Sequence, residues 1–315
     1  MGHRFTYVVS PEEERENLTV EWFLRRHGYS RHIITGLKRT EDGIFRNGVR
    51  AWTSQAVHAG DVIETHLVET EPSDGILPRP VPFSVVYEDD DILVVDKPAD
   101  TPIHPSIGNY ENTLANGIAW YFEQKGEPFV YRCINRLDRD TTGLIVLAKH
   151  ALSAAVLSQA MRSREIHRTY QAFALGETAA SGTIDAPIAR LNGSLIQRTV
   201  DFASGERSVT HYRTLAHCSV FSHLELNLET GRTHQIRVHM ASIGHPLFGD
   251  FLYGQEEPEI IGRAALHAWH LSFLHPITGK KLEFTAPPPD DLTALFPDYT
   301  YPDPATLQFG KDNPC

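Results

Sequence analysis

Apolar residues recur along the chain in two rhythms, one helical and one of alternating strands, and each change of rhythm marks an element. Leu18-Thr19-Val20-Glu21-Trp22-Phe23-Leu24-Arg25-Arg26-His27-Gly28 has helical spacing and ends on a glycine, which predicts a short helix with a stop. Ser30 then caps a second helix whose inner face is Ile33, Ile34 and Leu37. Arg31, Lys38 and Arg39 share its outer face. Asn47-Gly48 between two short strand-like runs predicts a hairpin, and the alternation from Gly60 to Leu67 predicts a closing strand.

Pro72, Gly75, Pro78, Pro80 and Pro82 then mark a linker. Beyond it, strands are expected at Ile92–Asp96, Leu144–Lys149, Thr169–Leu175, Val209–Leu215 and Val220–Leu228. Helices are expected at Thr113–Gln124, His150–Arg164 and Thr233–Ile243, the last ended by Gly244. Strands and helices do not alternate strictly, so an α+β domain with a mixed, largely antiparallel central sheet is expected, not a doubly wound one. The expected division is a small α/β module at 1–70, a linker at 71–82, a larger domain at 83–286 and a Pro/Asp-rich tail at 287–315.

The 315 residues are 41% hydrophobic and 22% charged, which excludes global disorder, a collagen-like chain and a long coiled coil. The formal net charge of -11 at first argues against nucleic acid. Counted by segment, it does not. Residues 22–50 carry seven bases against two acids, and residues 132–170 seven against three. Acid gathers in 69–91, with seven acids against Arg79, and in the tail. No apolar run approaches the roughly 18 residues of a membrane span, and Met1-Gly2-His3-Arg4-Phe5 does not resemble a secretory signal. Cys133, Cys218 and Cys315 form no C-x-x-C pair. A cytoplasmic protein without a disulfide framework or zinc ribbon is expected.

Three clusters could carry chemistry. In Cys133-Ile134-Asn135-Arg136-Leu137-Asp138-Arg139-Asp140-Thr141-Thr142-Gly143, two carboxylates lie among arginines in a turn that feeds an apolar strand. A nearby guanidinium keeps a carboxylate ionised, which suits nucleophilic or acceptor work. Such pairs more often make exposed salt bridges, and pattern alone does not choose between Asp138 and Asp140. Tyr170, at the start of a strand after Arg164-Glu165-Ile166-His167-Arg168, suits acid, base or stacking roles, though a tyrosine there commonly just packs. In Gly231-Arg232-Thr233-His234-Gln235-Ile236-Arg237-Val238-His239-Met240, helical spacing puts His234, Arg237 and Ala241 on one face and Ile236 and Met240 on another. His234, His239, His245, His267 and His270 invite a metal, but no H-E-x-x-H occurs and His234 and His239 point to different faces; no metal is expected.

Taken in order, these clusters resemble the RluA family of pseudouridine synthases, which isomerise uridines in RNA. The family's central motif corresponds to Arg136-Leu137-Asp138-Arg139-Asp140-Thr141-Thr142-Gly143. The later motif corresponds to Gly231 through Met240, continuing into Gly244-His245-Pro246-Leu247-Phe248-Gly249-Asp250. The opening signature resembles Tyr87-Glu88-Asp89-Asp90-Asp91-Ile92-Leu93-Val94-Val95-Asp96-Lys97-Pro98, so the match spans roughly 83–286. Residues 17–68 are similar to a small RNA-binding module shared with a ribosomal small-subunit protein. One departure stands out: Asn135 occupies the place where the family usually has His, which suggests a side branch with a different substrate.

The resemblance implies the pseudouridine-synthase fold and a reaction that detaches uracil from C1′, turns it and rejoins it through C5, with no cofactor. It assigns Asp138 as the essential carboxylate; attack on the sugar, attack on the base and abstraction of a sugar proton all stay open. It implies that Arg237 pairs with Asp138, that Tyr170 stacks on the target base and helps remove the C5 proton, and that Ile236 lines the pocket. The uridine must be flipped out of structured RNA, ribosomal or transfer. Arg136 is expected to fill the vacated space or hold a neighbouring base, unless it only contacts phosphate. Arg25, Arg26, Arg31, Lys38 and Arg39 are expected to bind RNA from the N-terminal module. A monomer that touches no membrane is expected. The alternatives are a non-catalytic, ribosome-associated RNA-binding protein that keeps the fold, and a metal-dependent hydrolase.

Overall fold

The computed structural model describes residues 2–15, 17–69, 73–218 and 220–295. The first layer runs β1 (Gly2–Val8), α1 (Val20–Arg26), α2 (Arg31–Arg39), β2 (Ile44–Arg46), β3 (Val49–Arg50) and β4 (Val62–Val68). Thr19 Oγ1 accepts from Trp22 N at 3.3 Å and Ser30 Oγ from Ile33 N at 3.3 Å, so each helix starts on a side-chain cap. Ile33, Ile34 and Leu37 are buried as expected. Asn47 and Gly48 take φ values of 52° and 74°, the doubly left-handed turn that Asn-Gly favours, and the strands pair around them. The strand order is β1-β4-β2-β3. Within this layer only β1 is unannounced in the sequence, an edge strand that buries little.

The second layer contains β5 (Ser84–Glu88), β6 (Ile92–Lys97), α3 (Leu114–Gln124), β7 (Thr142–Ala148), α4 (Ala151–Arg162), β8 (His167–Leu175), β9 (Ser181–Asp185), β10 (Ile188–Arg190) and β11 (Arg198–Val200). It continues with β12 (Val209–His217), β13 (Phe221–Leu228), α5 (Gln235–Ser242), β14 (Leu266–Leu274), β15 (Lys281–Thr285) and α6 (Asp290–Thr293). The main sheet has the order β5-β6-β7-β14-β8-β13-β12-β9, with β15 also on β14. Its ladders are antiparallel apart from β7–β14, so the expected mixed, largely antiparallel α+β sheet is what forms. Each strand expected in 83–286 is present within two residues at either end, and each helix within two. Strands β5, β9, β10, β11, β14 and β15 are unannounced in the sequence. The tail expected at 287–315 falls mostly outside the described residues.

Strand periodicity divides the core. Leu93 and Val95 of β6, with Ile145 and Leu147 of β7, face one cluster with Leu114, Ile118 and Phe122 of α3. Ile92, Val94, Leu144 and Val146 face the opposite cluster with Leu157 of α4. Gly143 permits the one parallel junction: its φ is 113°, and a Cβ there would lie 2.2 Å from Ala268 O on β14. The proline-rich segment is not loose. Asn116, which closes a capping box with Thr113, donates to Leu77 O at 2.7 Å, and Gly117 leaves room for Val81 to pass. The N-terminal layer also leans on the second, because Leu152 of α4 completes its apolar core. No described helix is long and apolar enough to cross a membrane.

Candidate active site

The turn that begins at Asn135 leads into β7, and its residues split between frame and cleft. Asn135 is buried; its Nδ2 donates to Leu144 O at 3.0 Å and its Oδ1 accepts from Val146 N at 2.9 Å. It therefore stitches the turn to the strand and does not line the cleft. Lys97, fully buried at the end of β6, donates from Nζ to Pro98 O at 2.7 Å and Arg139 O at 2.8 Å. Burial pulls its pKa down to about 7, with Asp140 opposing the shift. The sequence offered a signal for this clamp in Asp96-Lys97-Pro98 after an apolar run, but no reason to bury the amine.

Asp138 lines an open cleft together with Arg136, Arg168, Tyr170, Ile236 and Arg237. Asp140 does not line it; Arg139 Nε lies 3.1 Å from its carboxylate in an exposed pair. Geometry thus separates the two acids that pattern left equivalent. Arg136 is exposed and donates from Nη2 to Thr233 Oγ1 at 2.8 Å, across 97 positions of sequence. Tyr170, buried in β8 with Leu226 and Ala268 as register partners, has its pKa raised by burial. Arg168 lies beside it, and its Nε is buried without a hydrogen-bond partner.

The far wall corrects two expectations. The helix starts at Gln235, one residue after His234, which takes φ 57° in the left-handed region. His234 therefore leaves the face it was expected to share with Arg237 and Ala241, and Gln235 through Met240 are all buried. Arg237 also does not pair with Asp138. Its Nε donates to Asp250 Oδ2 at 2.8 Å and its Nη2 to Asp250 Oδ1 at 2.6 Å. The reason is local: Asp250 is fully buried after the Gly249 turn, so an ionised carboxylate there requires a bidentate partner. Asp138 still feels the guanidinium through space. Asp250 Oδ1 also accepts from Leu252 N at 3.0 Å and Tyr253 N at 3.2 Å, which carries Tyr253 to within 2.9 Å of His234 Nδ1.

Two of the other candidate histidines are tied into the frame. His239 bridges Thr210 Oγ1 and Ala186 O, and His267 bridges Thr142 Oγ1 and Ala286 O. Among the described residues, Asp89, Asp91 and His275 come within reach of one another, but they line no part of the cleft. Asp89 is occupied there, accepting from Tyr87 Oη, His275 Nε2 and the Asp91 and Ile92 amides.

The sequence pattern of the RNA pseudouridylate synthase family matches residues 91–242, the span that builds both walls of this cleft. RNA pseudouridine synthase YjbO of Bacillus subtilis, itself uncharacterized, is 38% identical over 279 residues, covering 88% of this chain and 98% of that one. This chain belongs to the RNA pseudouridylate synthase family. Ribosomal large subunit pseudouridine synthase D of Vibrio cholerae is 41% identical, with 76% of this chain and 77% of that one covered. Human RNA pseudouridylate synthase domain containing 1 superposes with a TM-score of 0.56 at 26% identity, over 66% of this chain and 84% of that one. The chain is accordingly an isomerase of the RluA type that forms pseudouridine in RNA, and not a non-catalytic relative that keeps only the fold. The synthase residues that sequence reasoning missed are Asp250, Tyr253, Arg168 and Lys97. Asp250 had a signal in the Gly-Asp that closes the later motif, and Lys97 in the Asp-Lys-Pro that follows an apolar run.

Proposed function

We propose that this synthase modifies uridines in folded ribosomal RNA, with Asp138 as the reacting carboxylate. The observation that carries this is the cleft itself. One partly exposed carboxylate faces Arg136, Arg168 and Arg237, with Tyr170 and Ile236 as its apolar wall. Cations around the rim suit a flipped nucleotide and its phosphates, and a buried aromatic wall suits a base. Arg136 is placed to enter the space that the base leaves. The several relatives named for the ribosomal large subunit support ribosomal RNA. The reaction moves no electrons and transfers no phosphate, so the enzyme is proposed to work without metal, as a cytoplasmic monomer. Full turnover in chelator is expected, whereas stoichiometric zinc would favour a hydrolase.

In the same proposal, residues 83–286 form the catalytic domain and residues 1–70 an RNA-gripping module, joined by 71–82. Arg26, Arg31, Lys38 and Arg39 are exposed on its helices, while Arg25 is engaged by Glu21 at 2.8 Å. Replacing Arg31, Lys38 and Arg39 by Gln is expected to flatten the salt dependence of RNA binding. The slope of log affinity against log salt should fall by about 0.7–0.9 for each phosphate that is no longer neutralised. Truncating 1–70 is a poorer test, because it strips the cover from Leu152 on α4. The decisive experiment maps pseudouridine across cellular RNA with and without the gene. Loss of sites in large-subunit RNA is expected; loss only in transfer RNA overturns the proposed target.

A further inference from the structure

His234 is the residue of the cleft whose backbone is least relaxed. Its φ of 57° is a conformation that few side chains adopt, and its own side chain does not cap the helix that follows. Gln235 holds the strain in place. Its Oε1 accepts from Thr230 Oγ1 at 2.8 Å and Arg232 N at 3.0 Å, and its Nε2 donates to Val209 O at 2.9 Å and Thr210 Oγ1 at 3.0 Å. Strained, over-determined backbone of this kind accumulates where a side chain must be aimed. Here it aims the imidazole into the cleft, with Nε2 4.0 Å from Asp138 Oδ1.

The other ring nitrogen sets the tautomer. Nδ1 lies 2.9 Å from Tyr253 Oη, and that oxygen already accepts from Arg198 N at 2.8 Å. Already accepting once, the phenol is placed to donate its proton to Nδ1. Burial first lowers the pKa of His234, with Asp138 opposing the shift and Arg237 and Arg198 adding to it, which favours the neutral ring; with Nδ1 accepting, its one proton is on Nε2. That N–H faces the carboxylate. Arg237 turns its Nε and Nη2 to Asp250 instead.

We propose that His234 is a positioning residue for Asp138: when RNA closes the 4.0 Å gap, its Nε2–H bonds one carboxylate oxygen and holds the other toward the nucleoside. This rests on Asp138 being the reacting carboxylate. Tyr253 is the second link, because it fixes which nitrogen carries the proton.

The test compares His234→Leu, which removes the donor, with His234→Gln, whose amide N–H falls near the place of Nε2. Both side chains occupy the same left-handed backbone, so its strain cancels in the comparison. Single-turnover rates on a saturating large-subunit RNA fragment are expected to fall about 10- to 100-fold in the Leu variant and to recover largely in the Gln variant, with RNA Kd unchanged in both. In ¹⁵N-histidine spectra, the signals that disappear from wild type to His234→Gln are expected to report an unprotonated Nδ1 and a protonated Nε2. Full rate in the Leu variant, equal damage in both variants, an effect confined to Kd, or a protonated Nδ1 would each overturn the proposal. Asp138→Asn is run alongside. If it keeps turnover, the assignment of Asp138 fails; if it is dead while His234→Leu is normal, only the positioning role fails.

Discussion

Asp138 and Asp250 serve the same cleft from two turns 112 positions apart, and their surroundings are opposite. Asp250 is fully buried and saturated, with both oxygens taken by the Arg237 fork and two backbone amides added to one of them. Asp138 keeps a fifth of its side chain exposed and has no ion-pair partner among the described residues nearer than His234 at 4.0 Å. A buried carboxylate without its counter-charge is costly, so Asp250 and Arg237 are bound to each other as structure. Asp138 is spared that demand, and its oxygens remain available to a substrate. The guanidinium expected to bond Asp138 instead builds the wall behind it.

Substitutions that separate reactivity from structure sharpen this contrast. The largest effect is expected for Asp138→Asn, which should lower pseudouridine formation by about 10⁴-fold or more while leaving the thermal midpoint near wild type. An assay of tritium release from C5-labelled uridine in RNA measures it. Asp250→Asn should do the reverse, costing about 3–5 kcal/mol by leaving Arg237 buried without its counter-charge; denaturant unfolding reads this. If Asp250→Asn were as stable as wild type, the two carboxylates would not differ as described. Arg237→Lys should lie between, losing about 1–2 kcal/mol and part of the rate, because a point charge replaces a two-bond fork.

The most gradual effect belongs to the sheet. Burial lowers the pKa of His267, His223 and His270 to about 4 each. The unfolded chain, with its histidines near 6.5, binds more protons in the window between. Stability contributed by these neutral rings is therefore complete above about pH 6.5 and drains away as pH falls toward 4. Thermal unfolding at pH 7, 5.5 and 4.5 should show a falling midpoint, and His267→Gln should blunt that slope if its folded protein remains intact.

Local pattern carried far into this molecule. The Asn47-Gly48 turn, the Ser30 cap, the buried Ile33, Ile34 and Leu37, and the strands at Ile92, Leu144 and Phe221 form where spacing and turn chemistry place them. These depend on neighbours a few residues apart, which a single sequence displays. The position of Asp138 before a wholly buried strand was legible for the same reason. His234 was not, because helical spacing extends smoothly through it and only the contacts of Gln235 and Tyr253 turn its backbone left-handed.

The chain by itself thus determined many of its elements, the run of bases around residues 22–50 and 132–170, and the two candidate acids, Asp138 and Asp140. Tertiary structure placed only Asp138 in the cleft. It gave Arg237 to Asp250, turned Asn135 inward to β7 and brought His234 to Asp138. Those choices depend on burial and charge compensation, in the last case between segments about a hundred residues apart, and such terms exist only once the sheet has brought the turns together.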